Sequence, residues 1–220
     1  MSSSKEHTIL ISPIGDPGAG SDFLDPVRSA LRKAFGYDTE VIPLIDEADL
    51  WIDPVRKQYH STPILETLAL LAPPTAIKVL AITKVDLFIP VLTHVYGEAQ
   101  LGGKTCILST HRFEEGLSLD AGLNTFRCRI EKEAIHELGH TFNLRHCPDV
   151  TCIMHYCRSV REVDRKLNRF CRYCAILLDD ELKRLTKGDP DHGVRVNFRC
   201  PSLPQASTTR CRWSCRPCPE

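Results

Sequence analysis

The chain's hydrophobic pattern begins with a short apolar run, Thr8-Ile9-Leu10-Ile11, of the length expected for a buried strand. The loop that follows, Gly15-Asp16-Pro17-Gly18-Ala19-Gly20, has neither the P-loop nor the dinucleotide spacing and reads as a plain connection. Asp25 then suits an N-cap with Pro26 at the first helical position. Val27, Ala30, Leu31 and Ala34 recur on one face, and Gly36 closes that helix. Thr39 to Leu44 reads as a second strand. Thr62-Pro63 opens another helix, with Ile64, Leu65, Leu68 and Leu71 as its apolar positions, and Pro73-Pro74 stops it. Ile77 to Ile82 and Thr105 to Ser109 read as strands. Leu87 to Leu92 is apolar but contains Pro90, which has no amide proton to give a ladder, so an edge or irregular strand is expected there. This alternation up to Phe113 predicts an α/β layer with a mixed sheet.

From about Leu123 to Asn143 the pattern changes to a single long helix, with Ile135, Leu138 and Phe142 at helical spacing toward the core. Beyond His146 cysteines cluster. One further amphipathic helix is expected from about Phe170 to Lys187, with Leu177, Leu178, Leu182 and Leu185 on its apolar side and Gly188 and Pro190 as terminators. Residues 199–220 are rich in Pro, Ser, Thr, Arg and Cys and carry too few apolar residues to fold alone, so residues 189–220 read as an irregular, flexible tail.

Composition adds little until it is divided. The whole chain carries 28 basic and 28 acidic residues, which gives no nucleic-acid or membrane footprint. Up to Met154 there are 14 basic and 20 acidic residues, and afterwards 14 and 8, so the last third is locally basic at 14 − 8 = +6. The N-terminus has no signal-peptide core and no run is long enough to span a bilayer, which points to the cytoplasm or nucleus. In such a reducing compartment, 11 cysteines are better read as metal ligands than as disulfides.

The predicted long helix carries His136-Glu137-Leu138-Gly139-His140, an H-E-x-x-H motif. Residues four apart share a helix face, so His136 and His140 can reach one metal ion at about 2.0 Å. Glu137 is one step round, beside the ion, where it can take a proton from a bound water. His146, ten residues after His136, supplies a third ligand from off the helix. The longer pattern H-E-x-x-H-x-x-G-x-x-H is the metzincin signature, in which the glycine turns the chain sharply. Asn143 stands at that glycine position, and asparagine tolerates the left-handed conformation next best. Cys147, Cys152, Cys171 and Cys174 form two close pairs that can enclose a second, structural zinc tetrahedrally.

This order, from H-E-x-x-H through x-x-H-C and C-x-M to C-x-x-C, closely resembles the archaemetzincins, a family of metzincin-like zinc peptidases. Only the glycine is missing. Residues 53–59, 82–90 and 96–103 resemble family segments as well, so the likeness covers roughly residues 8–188. It implies a metzincin-like α/β (α+β) fold. A mixed-sheet N-terminal subdomain, 7–146, would end in the active-site helix, and a small irregular C-terminal subdomain, 147–188, would be clamped by zinc. It further implies two zinc ions per chain and a peptide or protein as substrate. The implied catalytic ligands are His136, His140 and His146, with Glu137 as general base. Cys147, Cys152, Cys171 and Cys174 would hold the structural ion, and Met154 would form the Met-turn under the histidines. Tyr156 occupies the position of a metzincin tyrosine that can approach the metal or the oxyanion, with a plain surface or packing role as the alternative. Glu98 and Gln100 lie in a glycine-bounded segment that could form a rim strand for substrate.

The remaining candidates have plainer readings. Cys106 and Cys128 suit small buried apolar positions, and Asp86 a structural hydrogen bond. His60, His94 and His111 suit surface or packing roles. Cys200, Cys211, Cys215 and Cys218 could build a third zinc site, but their spacing is irregular. Two other functions are set beside the peptidase: a zinc-stabilised binding protein without catalysis, and a zinc-finger-like nucleic-acid binder. The second lacks an aromatic platform or a recognition-helix pattern. The oligomeric state is left open.

Overall fold

The computed structural model describes residues 7–16, 23–117 and 122–186. Its centre is a five-stranded sheet in the order β2-β1-β5-β8-β7. The strands are β1 (Thr8–Ile14), β2 (Thr39–Val41), β5 (Ala76–Thr83), β7 (Gly97–Ala99) and β8 (Thr105–Ser109). The first four neighbours run parallel, with Ile9 opposite Thr39, Leu10 opposite Val79 and Leu80 opposite Cys106. The edge strand β7 alone runs antiparallel, pairing Gly97 with Leu108 and Ala99 with Cys106. A small second sheet, in the order β3-β4-β6, joins β3 (Ile52–Asp53), β4 (Gln58–His60) and β6 (Leu87–Phe88).

The apolar runs are continuous because the central strands are covered on both faces. Successive side chains alternate between two cores. Ile9, Ile11, Leu80, Ile82, Cys106 and Leu108 pack with α1 (Leu24–Phe35) and α3 (Gly122–Thr141). Leu10, Val79, Ala81 and Ile107 pack on the other face with α2 (Ser61–Leu71). After α3, the chain forms turns, the short helix α4 (Val160–Arg165) and the amphipathic α5 (Arg172–Thr186). Among the described residues no helix is long and apolar enough to cross a membrane.

The sequence reading places most of these elements and misjudges several details. Asp25 sits in the first turn of α1, which starts one residue earlier; Phe23 is the cap residue and offers no side-chain bond. Gly36 closes α1 with φ 78° as expected. The second strand stops at Val41 because Pro43 has no amide proton to continue the ladder. Leu71 and Leu177 are exposed, and so is Cys128, which lies off the buried face of α3. Cys106 is fully buried. Asp86 is indeed structural, accepting two bonds from Arg112 at 2.8 Å and one from Gln58. The strands β3 and β4 and the helix α4 were not anticipated as elements; each has six residues or fewer and no usable period, whereas β7 forms at the segment read as a rim strand. Part of the glycine-bearing loop, the terminators Gly188 and Pro190, and the tail cysteines Cys200, Cys211, Cys215 and Cys218 lie outside the described residues.

Candidate metal centre and active-site cleft

The active-site helix ends where the third histidine needs it to end. Asn143 adopts φ 64°, the left-handed conformation. The Leu144 N–H then returns to Gly139 O at 3.0 Å and the Asn143 N–H to His140 O at 2.9 Å. This is the Schellman arrangement, with asparagine in the place usually taken by glycine. The chain reverses and brings His146 back against the helix. The ring centroids of His136, His140 and His146 lie 4.7, 4.8 and 5.4 Å apart.

The protons on these rings are fixed by their neighbours. His136 Nδ1 lies 2.8 Å from Ile153 O, and His140 Nδ1 2.7 Å from Leu144 O. A carbonyl oxygen can only accept, so both Nδ1 atoms carry the proton and both Nε2 atoms present a lone pair. Those two Nε2 atoms stand 3.2 Å apart. Two facing lone pairs repel unless a cation lies between them. Two imidazoles on one tetrahedral ion, at about 2.0 Å each, would place their nitrogens about 3.3 Å apart. Burial holds the His136 and His140 imidazoles below the usual histidine range. His146 is pushed down to about 4 by burial first, then by the charges of His140, Lys166 and His155. One donor atom from each of the three histidines lies within 4.8 Å of the others, so the group has the composition and spacing to hold a divalent metal.

Cys147, Cys152, Cys171 and Cys174 form a second such group. The Sγ atoms of Cys147 and Cys171 are 3.7 Å apart, far beyond a disulfide bond and close to the edge of about 3.8 Å of a sulfur tetrahedron around zinc. The backbone N–H groups of Cys171 and Cys174 point at Cys152 Sγ and Cys171 Sγ, at 3.3 and 3.5 Å, as donors to thiolates. Burial, with Cys152 beside it, drives the Cys174 thiol upward, so four packed thiols ionise together only with a cation among them.

The two groups are joined through the backbone. Cys147 follows His146 and donates its N–H to Met154 O at 2.9 Å, and His155 Nδ1 returns to Cys147 O at 2.9 Å. Met154 is fully buried beneath the active-site helix, where a methyl group on Gly139 would stand 2.5 Å from its Sδ. Tyr156 is 42% exposed on the cleft wall, with its ring 5.0 Å from that of His146.

Glu137 is buried at the floor of a 710 Å³ cleft that also contains the three histidines. Burial first, and then the charge of Glu133, pushes its carboxyl well above the usual range, and the two carboxyls share a hydrogen bond. The edge strand β7 forms one wall of the cleft. A methyl group at Gly97 would meet Glu137 Oε1 at 2.6 Å, so only glycine lets the strand pass this close. Glu98 accepts hydrogen bonds from Ser61 and Thr62 and so anchors β7 to the start of α2. His94 also lines the cleft, while His60 stacks on Phe88 in the small sheet. Glu133 and Lys166 line the cleft too; the sequence reading names neither, and a Glu one helical turn before the motif was the signal available.

The model of Peptidase family M54 matches residues 49–180. Over 167 residues the chain is 35% identical to an archaemetzincin of Archaeoglobus fulgidus, covering 76% of this chain and 96% of that one. Over 130 residues it is 42% identical to an archaemetzincin of Methanopyrus kandleri, covering 59% and 71%. Among solved structures, archaemetzincin from Methanopyrus kandleri superposes with a TM-score of 0.71 at 32% identity, over 84% of this chain and 99% of that one. A zinc-dependent peptidase from Methanocorpusculum labreanum superposes with a TM-score of 0.66 at 29% identity, over 76% and 99%.

Proposed function

Since the chain belongs to peptidase family M54, the archaemetzincins, and is a zinc-dependent metallopeptidase, we propose that His136, His140 and His146 hold its catalytic zinc and that Glu137 is the general base. Cys147, Cys152, Cys171 and Cys174 hold a second, structural zinc, so that the chain carries two. The observation that carries this reading is the orientation of His136 and His140. Each Nδ1 is engaged by a carbonyl and the two Nε2 lone pairs converge at 3.2 Å.

Zinc at the histidines supplies Lewis-acid polarisation of the scissile carbonyl and an attacking water made acidic at neutral pH. The protein supplies the rest. An extended substrate pairs its backbone with the free edge of β7, which places the scissile bond over Glu137. Glu137 takes the proton of the attacking water and hands it to the leaving amine. Its carboxyl lies at the floor of the same cleft as the three histidines, beside the water it would deprotonate. The Tyr156 hydroxyl, on the wall beside His146, is placed to donate to the oxygen that gains charge. Met154 and the Cys147–Met154 bond hold His146 in place from below.

The test combines metal content and turnover. Protein purified under reducing conditions should hold two zinc ions per chain by elemental analysis, and His146→Ala should lose one. Glu137→Ala should keep both and lose peptide hydrolysis. Full activity in that variant removes Glu137 from the mechanism, and folded protein without metal removes the histidine site.

A further inference from the structure

Lys166, Cys157 and one carboxyl oxygen of Glu133 are left over by the mechanism above. Glu133 lies one helical turn before Glu137, and Lys166 and Cys157 line the same cleft. The side chains of Lys166 and Glu133 are only 1% and 6% exposed, and Lys166 Nζ stands 3.9 Å from Glu133 Oε2, beyond hydrogen-bond reach. Nζ makes a long contact of 3.4 Å to His155 O. One carboxyl contact of Glu133 goes to Glu137, while its Oε2 is buried with no hydrogen-bond partner among the described residues. Buried polar atoms in folded proteins nearly always find a partner.

This pair is held rigidly. Arg129, 3% exposed, grips Asp164 through two bonds of 2.8 and 2.7 Å, and Lys132 reaches the carbonyls of Val163 and Asp164. These bonds fix the end of α4 and so the start of the Lys166 side chain. Both residues therefore line the cleft from fixed positions.

We infer that Glu133 and Lys166 form the floor of a substrate side-chain subsite for a primary carboxamide, that is, glutamine or asparagine, on the amine side of the scissile bond. The side follows from the mechanism and rests on the proposed role of Glu137. Glu137 protonates the leaving nitrogen, so the residue that carries that nitrogen lies next to it. The ligand class follows from the pair. Lys166 offers N–H and Glu133 Oε2 accepts, and a carboxamide supplies the matching acceptor and donor. Its oxygen and nitrogen are about 2.2 Å apart, from standard bond lengths. Two hydrogen bonds of about 2.9 Å then span a donor–acceptor pair 3.9 Å apart. A carboxylate in the same place would face Glu133, an ammonium would face Lys166, and an aliphatic side chain would leave both unmatched.

The experiment uses zinc-loaded protein and fluorogenic peptides that differ only in the residue on the amine side of the cleaved bond. Glutamine, asparagine, leucine, glutamate and lysine are compared. A site built to hydrogen-bond a polar group strongly rejects an analogue without one, so glutamine or asparagine should exceed leucine in kcat/KM by roughly tenfold or more. In Lys166→Met that ratio should fall toward one. The ratio is internal to each protein, so a general loss of fold or metal leaves it unmoved. A second arm needs no turnover: glutaminyl-alanine amide and leucyl-alanine amide are titrated calorimetrically into the zinc-loaded protein, and the first should bind more tightly. Cleavage with no carboxamide preference, or with a preference that survives Lys166→Met, overturns the subsite and leaves the peptidase reading standing. If no peptide is cleaved, the Glu137 reading is in question, and the calorimetric comparison alone decides the subsite: equal binding overturns it, and tighter binding of the carboxamide supports it.

Discussion

Gly139→Ala sets two effects of known size against each other inside the H-E-x-x-H motif. In a helix interior, alanine is favoured over glycine by about 1 kcal/mol, which by itself would stabilise α3. The structure predicts the reverse. The new methyl group would lie 2.5 Å from Met154 Sδ, 3.0 Å from its Cε and 3.6 Å from Leu144 Cδ1. Ordinary contact is about 3.5–4.0 Å, so the sulfur has to retreat by roughly 1 Å. Met154 is fully buried, so it cannot swing out into solvent. Overpacking of this kind costs about 1–3 kcal/mol, which leaves a net loss of roughly 0–2 kcal/mol. In a domain of this size that lowers the melting temperature by up to about 8 °C. The functional effect should be larger. Ile153 O, one residue before Met154, orients His136, and loss of such an outer contact weakens metal affinity by about 10–100-fold. Zinc affinity measured by competition with a chromophoric chelator, beside thermal unfolding of the loaded protein, reads both effects. Shortening the partner in Gly139→Ala/Met154→Val should restore part of each, and the double-mutant cycle should show favourable coupling. A Gly139→Ala protein that melts above wild type and binds zinc as tightly would mean that helix propensity outweighs the contact with Met154.

Gly97→Ala should push the Glu137 carboxyl aside, because the added methyl group would meet Oε1 at 2.6 Å. Displacement by about 1 Å near the chemistry costs on the order of a hundredfold, so kcat/KM should fall by about 10–100-fold with the metal content unchanged; unchanged kinetics would refute the close approach. Cys171→Ser should lower zinc by one per chain and reduce activity although no histidine is touched, which elemental analysis and a peptide assay can check together. Lys78 donates to Thr141 O and Gly103 O, both at 2.7 Å, and burial pushes its ammonium down to about 8. Between that value and about 10.4 the unfolded chain binds more protons than the folded one, so this residue makes stability rise with pH, by up to about 3 kcal/mol. Lys78→Met should flatten that rise in urea midpoints measured across the window, and parallel curves for the two proteins would rule it out.

How far the fold was legible follows from which segments carry a period. The runs in β1, β5 and β8 are buried on both faces and read plainly as apolar strings, and α3 is long enough for its core face to show. Of the small sheet only β6 was legible, as the edge strand expected from Leu87. β4 is three residues long, and Gln58 and Tyr59 are fixed by partners far away in the chain: Gln58 by Asp86 and the Thr93 carbonyl, Tyr59 by the Asp86 carbonyl. Leu177 misled for the opposite reason. Its neighbours share an apolar stripe, but the face it sits on meets no other element of the described chain closely enough to cover it. A pattern records which residues are able to be buried, and the partner decides which of them are.

The same distinction separates the two halves of the site. The candidate ligands could be picked out because metal ligation would constrain residue type and spacing within a short stretch: one helical turn for His136 and His140, and three positions for Cys171 and Cys174. The substitution of asparagine for glycine at residue 143 was also readable, since one backbone requirement at one position decides it, and φ 64° meets that requirement. Long-range placement was not readable. Gly97 is forty residues from Glu137, yet its lack of a side chain is what brings β7 against that carboxyl. Lys166 reaches the cleft only because Arg129 and Lys132 on α3 clamp the end of α4. Nor do the two ligand sets act separately. The Cys147 N–H holds the Met154 carbonyl, the Met154 side chain fills the space under Gly139, and the Ile153 carbonyl between them sets the His136 ring. The seven candidate ligands that the sequence presents as two motifs are therefore tied together through the contacts of residues 147–154.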